Sequence, residues 1–519
     1  MPWNRSFLTN GNPALFLILT VISQHFITAV AFANPSKFHI LHKDYSLFIL
    51  KSMTNPQNAE KPESNDNCFQ FFRFLFGDSV KARPTQDEKN IRDCALSHEI
   101  RIDKEDDWPL IEDGHWNNIE KVHIYQKIHE TRNRYIKELQ KTKDPHLHHS
   151  FAEIYKREWI PAQKLEHDTS NVFKSASKDR TTFEIKMLQF NVLAEGLSAG
   201  PAVKTPFKLT EPDNPEMKGT FGGFTSIPMP EISLNFNLRR WRILEVMLGK
   251  VYREEGSDVA KEGNFDLIAL QEVDRYHGFF KPALQIFGYE SVFVPKRNSP
   301  CMGFGWYSDG CVLCWKQDTF ELLCEERGYF KRGSQNYIVA TLRHVSSGRV
   351  MVVSTTHLKA KNTAAFEEMR REQVNELAEK VEAARCRIVE KMNIAKEEVP
   401  IVLMGDFNAE LKTPQGFSGP GAIRSLLERQ QSPRLSSAYD VESDPELYTT
   451  WKTRGEDTVR RTIDFIFYNV NDVGPDTMRC THTLGHVDQD EMEETALPGF
   501  KYPSDHLAIG AKFIISKFM

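Results

Sequence analysis

Cysteine is scarce in this chain. The eight in 519 residues, at positions 68, 94, 301, 311, 314, 324, 386 and 480, are too few and scattered for a disulfide framework. The one C-x-x-C lies in Gly310-Cys311-Val312-Leu313-Cys314-Trp315, which reads as a strand. Residues three apart on a strand face opposite ways, so the two sulfurs are expected to diverge as core thiols. A long basic stripe is also missing. Lys and Arg total 66 against 71 Asp and Glu, a formal net charge of −5. That weighs against a dedicated binder of long nucleic acid and leaves room for a local basic pocket holding a small anion. Hydrophobic residues at 40% and charged residues at 26% fit a globular chain rather than a disordered or polytopic one. The length allows one large domain plus substantial extra segments.

The apolar stretches at residues 13–22 and 26–33 end in Ala31-Phe32-Ala33 ahead of Asn34-Pro35, a processing-site pattern. A cleaved signal segment over residues 1–33 is the simplest reading. Gln24 and His25 interrupt the run, which weighs against an uncleaved anchor; membrane contact is expected only through this segment if it is retained. Ala29-Val30-Ala31-Phe32-Ala33 resembles a bipartite plastid leader, and Lys37, His39, His42 and Lys43 follow with no acidic residue before Asp44. An organellar or secretory route is expected, with plastid and mitochondrion both open.

Residues 34–181 read as linker followed by a helical extension of unknown role. Ile119, Val122, Tyr125, Ile128, Tyr135, Ile136 and Leu139 recur at helical spacing until Asp144-Pro145, and a second short helix is expected over residues 150–159. His146, His148 and His149 have no carboxylate or thiol at matching spacing and read as a solvated loop.

From residue 182 to 519 the pattern changes to strands that end in polar residues. Phe183, Ile185 and Met187 share a strand face with Gln189 and Asn191. The apolar run at 265–270 closes on Glu272, which is costly to bury unless a cation neutralises it. Another run, 350–353, leads to His357, with Lys359 and Lys361 just beyond. Ile401-Val402-Leu403-Met404 gives way at Gly405 to Asp406-Phe407-Asn408. Asp464 sits inside an apolar run, and Ser504-Asp505-His506 precedes the last strand. A Pro- and Gly-rich insertion at about 197–236 is long enough to be a lid, a binding loop or a disordered insert. Residues 238–251 read as an amphipathic helix with Trp241, Leu244, Met247 and Leu248 on one side. Thr363 is expected to cap a long helix buried through Phe366, Met369, Gln373, Leu377, Val381 and Ile388.

Any one of these strand ends, read alone, is an ordinary turn. Together they supply oxygen-rich ligands with few nitrogens and no thiolate, the set that suits Mg²⁺, or Mn²⁺, rather than zinc. Glu272 is the best single metal ligand, with Asp505 as a second candidate. Asp406 is placed to activate the attacking water and Asn408 to hold it or a phosphoryl oxygen. Asp464 would orient His506, and His506 and His357 would donate to oxygens that gain charge in the transition state. The constellation describes metal-assisted hydrolysis of a phosphate ester.

With these residues assembled the chain resembles the endonuclease/exonuclease/phosphatase superfamily. The motifs are Gln189-Phe190-Asn191-Val192-Leu193-Ala194, Gln271-Glu272-Val273-Asp274, Ser308-Asp309-Gly310-Cys311, Thr356-His357-Leu358-Lys359-Ala360, Gly405-Asp406-Phe407-Asn408-Ala409-Glu410, Thr462-Ile463-Asp464-Phe465 and Pro503-Ser504-Asp505-His506-Leu507, in the family's order. The resemblance implies an α/β fold, a four-layer sandwich of two mixed sheets flanked by helices, with the site at one edge. Pro295-Lys296, Ser299-Pro300-Cys301 and Tyr448-Thr449-Thr450-Trp451-Lys452-Thr453-Arg454 are most similar to the nocturnin-like branch, which is related to the poly(A) deadenylases. The resemblance implies NADP(H) as substrate, losing its 2′-phosphate, with an RNA 3′ end as the alternative; it places Lys296 and Arg454 on phosphates. Lys361 stands where the branch leads one to expect Arg, keeping the charge but losing the bidentate fork. No stable protein partner is legible. An inactive scaffold is the third reading, and the intact Glu272, Asp406, Asn408, Asp464 and His506 argue against it.

Overall fold

The computed structural model describes residues 20–22, 27–31, 38–42, 100–103, 116, 119–142, 147–162, 182–207, 220–249, 252–253, 265–444, 446–469, 477–493 and 496–516. Most of the targeting segment and the linker, and His146, lie outside the described residues. Within residues 1–82, a compact unit of its own, β1 (Thr20–Ile22), β2 (Ile27–Ala31) and β3 (Phe38–His42) pair antiparallel in that order. Among the described residues no helix is long and apolar enough to cross a membrane.

The second unit, residues 83–519, carries the remaining elements. Along the chain come α1 (Lys121–Lys141), β4 (Arg157–Pro161), β5 (Thr182–Asn191), α2 (Phe236–Met247), β6 (Tyr252–Arg253), β7 (Leu267–Gln271), β8 (Tyr289–Pro295) and β9 (Gly310–Lys316). Then follow β10 (Phe320–Tyr329), β11 (Asn336–His344), β12 (Val350–His357), α3 (Ala364–Met392), β13 (Ile401–Asp406) and β14 (Leu435–Ser437). The last are β15 (Thr450–Arg454), β16 (Asp457–Arg461), β17 (Asp464–Asn469), β18 (Met478–Leu484) and β19 (Ile509–Ser516). They form an eight-stranded sheet of order β6-β4-β18-β19-β5-β7-β9-β8 and a six-stranded sheet of order β10-β11-β12-β13-β17-β14, with β15 and β16 as a separate hairpin.

The alternation of side chains along each strand assembles the layers. On β5, Ile185 and Met187 enter the core between the sheets, while Leu188 and Phe190 join the outer core that includes α2. On β13, Val402 and Met404 face the core between the sheets, and Ile401 and Leu403 pack with Val374, Leu377 and Val381 of α3. The result is helix–sheet–sheet–helix, the two-sheet sandwich expected from the resemblance. Cys311 and Cys314 divide the same way, one in the core between the sheets and one in the outer core. Thr363 caps α3, its hydroxyl accepting from the Phe366 N–H at 3.3 Å. Gln373, Leu377, Val381 and Ile388 are buried as expected, whereas Phe366 and Met369 remain half-exposed. On α2 every residue but Asn237 is buried, so the one-sided stripe expected there is replaced by burial all round.

The extension departs furthest from expectation. On α1 the buried stripe is Ile124, Ile128, Thr131, Tyr135 and Leu139, and Val122 is 60% exposed. The helix expected over 150–159 is instead a 3₁₀ turn, His149–Ala152, followed by β4. Trp159 and Ile160 suit a strand, and β4 pairs with β18 through Trp159↔Leu484 and Ile160↔Thr483. The Arg157 guanidinium donates to the carbonyls of Gly485 (2.6 Å), Leu484 (3.4 Å) and Ala508. The domain boundary placed at residue 182 therefore cuts through one sheet: residues 157–161 are part of it. His148 and His149 stay exposed, as a solvated loop would.

Candidate active site

Strand pairing brings the polar strand ends to one edge of the sandwich. β5 and β7 run parallel with Asn191 opposite Gln271, and β12 and β13 run parallel with His357 opposite Asp406. β17 starts antiparallel to β13, so Asp464 lies opposite Asp406. Gly405 does not break β13 but belongs to it; a Cβ there would lie 2.4 Å from the Thr356 carbonyl oxygen, so only glycine lets β12 and β13 approach at that point. Beyond the strands the chain turns through the left-handed region at Leu193 (φ 57°), Glu272 (57°), Lys361 (79°) and Asn408 (50°). Side chains other than glycine rarely adopt this conformation, and its clustering on one edge marks a place where tertiary contacts over-determine the backbone.

Asp406 is at the centre. One of its oxygens accepts from Asn191 Nδ2 at 3.0 Å and lies 3.5 Å from His357 Nε2 and 3.8 Å from His506 Nε2. Its other oxygen accepts the Asn408 backbone N–H at 2.9 Å. Burial, then the negative charge of Asp464, pushes its carboxyl up to about 7. Asp464 accepts from Gln189 Nε2 at 2.6 Å and is 2.8 Å from His506 Nδ1. Burial opposes a charged imidazole at His506, but the carboxylates of Asp464, Asp505 and Asp406 outweigh it and raise the ring to about 9. His357 goes the other way: burial first, then the positive charges of Lys296, His506 and Lys452, keep it well below its ordinary value. The Asn408 amide donates to the Leu358 carbonyl at 3.2 Å.

A second acidic group forms beside this centre. Glu272 accepts from the Ala194 N–H at 3.2 Å. Its carboxyl is raised by burial and then by the charges of Asp505 and Asp309. Asp505 is held well below the carboxylate range: burial works against this, but Lys452, His506 and Arg454 prevail. One Asp505 oxygen meets Lys452 Nζ and, at 3.3 Å, Arg454. The other is buried and, among the described residues, has no hydrogen-bond partner, which is costly for a carboxylate. Two acidic groupings thus offer themselves to a cation. In Asp406, Asp464 and His506 the ligand atoms lie within 4.8 Å of one another, but both Asp464 oxygens already accept from protein donors. Glu272 and Asp505 keep lone pairs free, and their donor chemistry fits a hard divalent ion.

Cations complete the edge. Lys296, 3.7 Å from Asp309, is raised despite burial by the charges of Asp309 and Glu272. Lys359 is lowered by burial and then by the positive charges of Lys296 and Lys361. Arg454 lies with its guanidinium 4.4 Å over the Phe224 ring. All twelve side chains singled out from sequence therefore lie along one edge. Sequence reasoning missed three others. Lys452 lies inside a quoted motif but carried no signal separating it from Arg454. Gln189 shares a strand face with Asn191, a pointer that was present. Arg239, on α2, donates to the carbonyls of Val192 (2.8 Å), Leu193 (2.7 Å) and Pro503 (2.9 Å) and to Ser198 Oγ (3.2 Å); nothing local marks it.

The model of the Endonuclease/Exonuclease/phosphatase family matches residues 234–506, more than half of the chain. Nocturnin of Xenopus laevis is 29% identical over 353 residues, which cover 66% of this chain and 74% of that protein. The CCR4-Not complex 3′-5′-exoribonuclease subunit Ccr4 of Debaryomyces hansenii is 27% identical over 293 residues, 49% of this chain and 34% of that one. The human Nocturnin catalytic domain with bound sulfate is 25% identical, covers 64% of this chain and 96% of its own, and superposes with a TM-score of 0.44. A possible cation site, a buried His–Asp pair and a carboxylate poised near neutrality stand where the family model aligns, and the chain belongs to the Endonuclease/Exonuclease/phosphatase family as a nocturnin-like hydrolase of phosphoester bonds.

Proposed function

We propose that the chain removes the 2′-phosphate of NADP⁺ or NADPH in a Mg²⁺-dependent hydrolysis. The observation that carries this reading is the set of cations held against the carboxylates of this edge: Lys452 and Arg454 on Asp505, and Lys296 3.7 Å from Asp309. A compact cation cluster, in a chain of net charge −5, suits a small doubly charged phosphate better than a long polyanion. The Xenopus relative bears the name nocturnin.

Glu272 and Asp505 would hold the ion, which when bound supplies electrophilic assistance to the phosphoryl group and neutralises charge there. Lys296, Lys359, Lys361 and Arg454 bind the phosphate oxygens. Asp406, with a pKa near neutrality, takes the proton of the attacking water; a base poised there combines availability with driving force. Asn191 spends its amide on Asp406 and so acts by positioning it. The side-chain amide oxygen of Asn408, whose nitrogen is held by the Leu358 carbonyl, orients the water. Asp464 holds the charged His506, which donates to a non-bridging oxygen as negative charge builds, and neutral His357 offers a second donor.

The second reading, a 3′-exoribonuclease of the deadenylase kind, draws on the Ccr4 relative. The test uses the full-length chain with Mg²⁺ and either NADPH or a short oligoadenylate. Phosphate release from NADPH, abolished by Glu272→Gln, is the expected result. Shortening of oligoadenylate with NADPH untouched hands the function to the second reading. A folded chain that turns over neither substrate would be an inactive scaffold.

A further inference from the structure

Ile100-Arg101-Ile102-Asp103 belongs to the extension, yet it lies against the loop between β8 and β9. Ile100 and Asp103 are buried, and Ile102 packs on the outer core. The Arg101 N–H donates to Ser308 Oγ at 2.9 Å, and the Ser308 N–H donates back to the Arg101 carbonyl at 2.6 Å. The Arg101 guanidinium donates to the Met302 carbonyl at 3.2 Å. One residue thus grips both arms of a loop 201 and 207 positions further along the chain. Two residues on, Asp103 accepts the N–H groups of His277 (3.1 Å) and Gly278 (2.5 Å), which anchors the segment at a second point.

The gripped loop is the one that places Lys296. Asp309 follows Ser308; its carbonyl accepts the Lys296 N–H at 2.7 Å, and its carboxylate stands 3.7 Å from Lys296 Nζ. The Ser299 hydroxyl donates to that carboxylate and accepts the N–H groups of Cys301 (3.2 Å) and Asp309 (3.3 Å), closing the loop on itself around Asp309. The Asp309 oxygen facing Lys296 is buried and makes no hydrogen bond among the described residues. It holds the ammonium by charge alone, across a gap, so the position of Lys296 follows the position of the loop. Between Met302 and Ser308 the loop contains Gly303 and Gly305, the latter at φ 84°, and glycine lends a backbone little stiffness of its own. Arg101 spans that stretch.

We propose that Arg101 is a positioning residue of the active site: by bridging Met302 and Ser308 it fixes Asp309, and through Asp309 the Lys296 ammonium that meets the phosphate. This rests on the reading of Lys296 as a phosphate ligand and deepens it, because the extension then supports the site without touching the substrate. Packing alone would ask only for apolar burial, which Ile100 and Ile102 supply. A guanidinium and two main-chain groups aimed at the two arms of one loop also fix a geometry. The tolerance is small, since a misplacement of about 1 Å can cost about 100-fold in rate.

A double-mutant cycle on the full-length chain tests this without requiring turnover, with binding of inorganic phosphate in the presence of Mg²⁺ followed by calorimetry. Arg101→Ala should weaken phosphate binding by about fivefold to tenfold, but by less than about twofold in the Lys296→Ala background, where the group it acts through is gone. Arg101→Lys, which still reaches one carbonyl, should restore part of the affinity. Ser308→Ala removes the acceptor of the Arg101 N–H and repeats the cycle should Arg101→Ala fail to fold. Equal losses in both backgrounds mark a general structural role and overturn the inference. So does wild-type affinity in a folded Arg101→Ala chain, or a wild-type affinity that does not depend on Lys296. Coupling between Arg101 and Lys296 in phosphate binding, in a chain that releases no phosphate from NADPH, would sink the proposed reaction and leave the positioning role standing.

Discussion

Arg239 offers the sharpest test of how the edge is held together. Its guanidinium is fully buried and holds the carbonyls of Val192 and Leu193, just after Asn191, and of Pro503, just before Asp505 and His506. Burying a cation for this purpose is costly, and burial lowers its pKa from the ordinary value. Arg239→Ala would strand three buried acceptors at about 1–3 kcal/mol each. A loss of that size approaches the whole stability of a typical domain, about 5–15 kcal/mol, so alanine tests folding rather than catalysis. Arg239→Lys keeps the charge but presents its donors from a single atom, which cannot span acceptors on two separate loops. The Asn191 and Asp505–His506 loops should then drift apart by a fraction of an ångström to an ångström, a displacement able to cost up to about 100-fold in rate. The expected result is a fall in kcat of about 10- to 100-fold for phosphate release, a much smaller change in KM, and a melting temperature close to wild type. Wild-type kcat in a folded Arg239→Lys chain would refute the reasoning. So would a loss of activity that cooling fully restores, since that would reflect only the folded fraction.

Removing residues 1–181 should yield an unstable or aggregating protein. Ile124, Ile128, Tyr135 and Leu139 of α1 are buried, and at about 1.5–3 kcal/mol each their loss rivals the stability of a domain; thermal melts of 182–519 against 83–519 decide it, and equal melting temperatures would return the extension to the status of a tether. Asp103 accepts backbone N–H groups from His277 (3.1 Å) and Gly278 (2.5 Å), and burial raises its carboxyl to about 6. Because the folded pKa lies above the unfolded one, its stabilising contribution is full below about pH 4 and fades as pH rises through about 6, by up to about 3 kcal/mol. Denaturant midpoints of wild type should therefore fall relative to Asp103→Asn between pH 4 and 8; parallel curves would count against it. We further propose that residues 1–60 fused to a fluorescent protein direct it to an organelle or the secretory route, and a diffuse cytosolic signal would reject the targeting reading.

The strand ends were legible because each follows from local chemistry. An apolar run closing on Asp406 or Glu272 needs no partner to be recognised, and alternation along β5 and β13 already assigns the two faces. The cap at Thr363 and the divergence of Cys311 from Cys314 are likewise local consequences of backbone geometry. The extension was harder. Residues 157–161 carry too short a pattern to separate strand from helix, and the open edge of β18 made the choice.

By itself, then, the sequence determined the family motifs, the charge type of the site and the alternation that forces two sheets to pack. Only the tertiary structure decided which charges meet. Asp464 and His506 are 42 positions apart and stand 2.8 Å apart in space. Lys452 rather than Arg454 makes the nearer contact with Asp505, and Arg239 clamps two loops it is nowhere near in sequence. Side-chain type fixes what a group can do, but pKa and orientation depend on neighbours that only the packed sheets bring within a few ångströms.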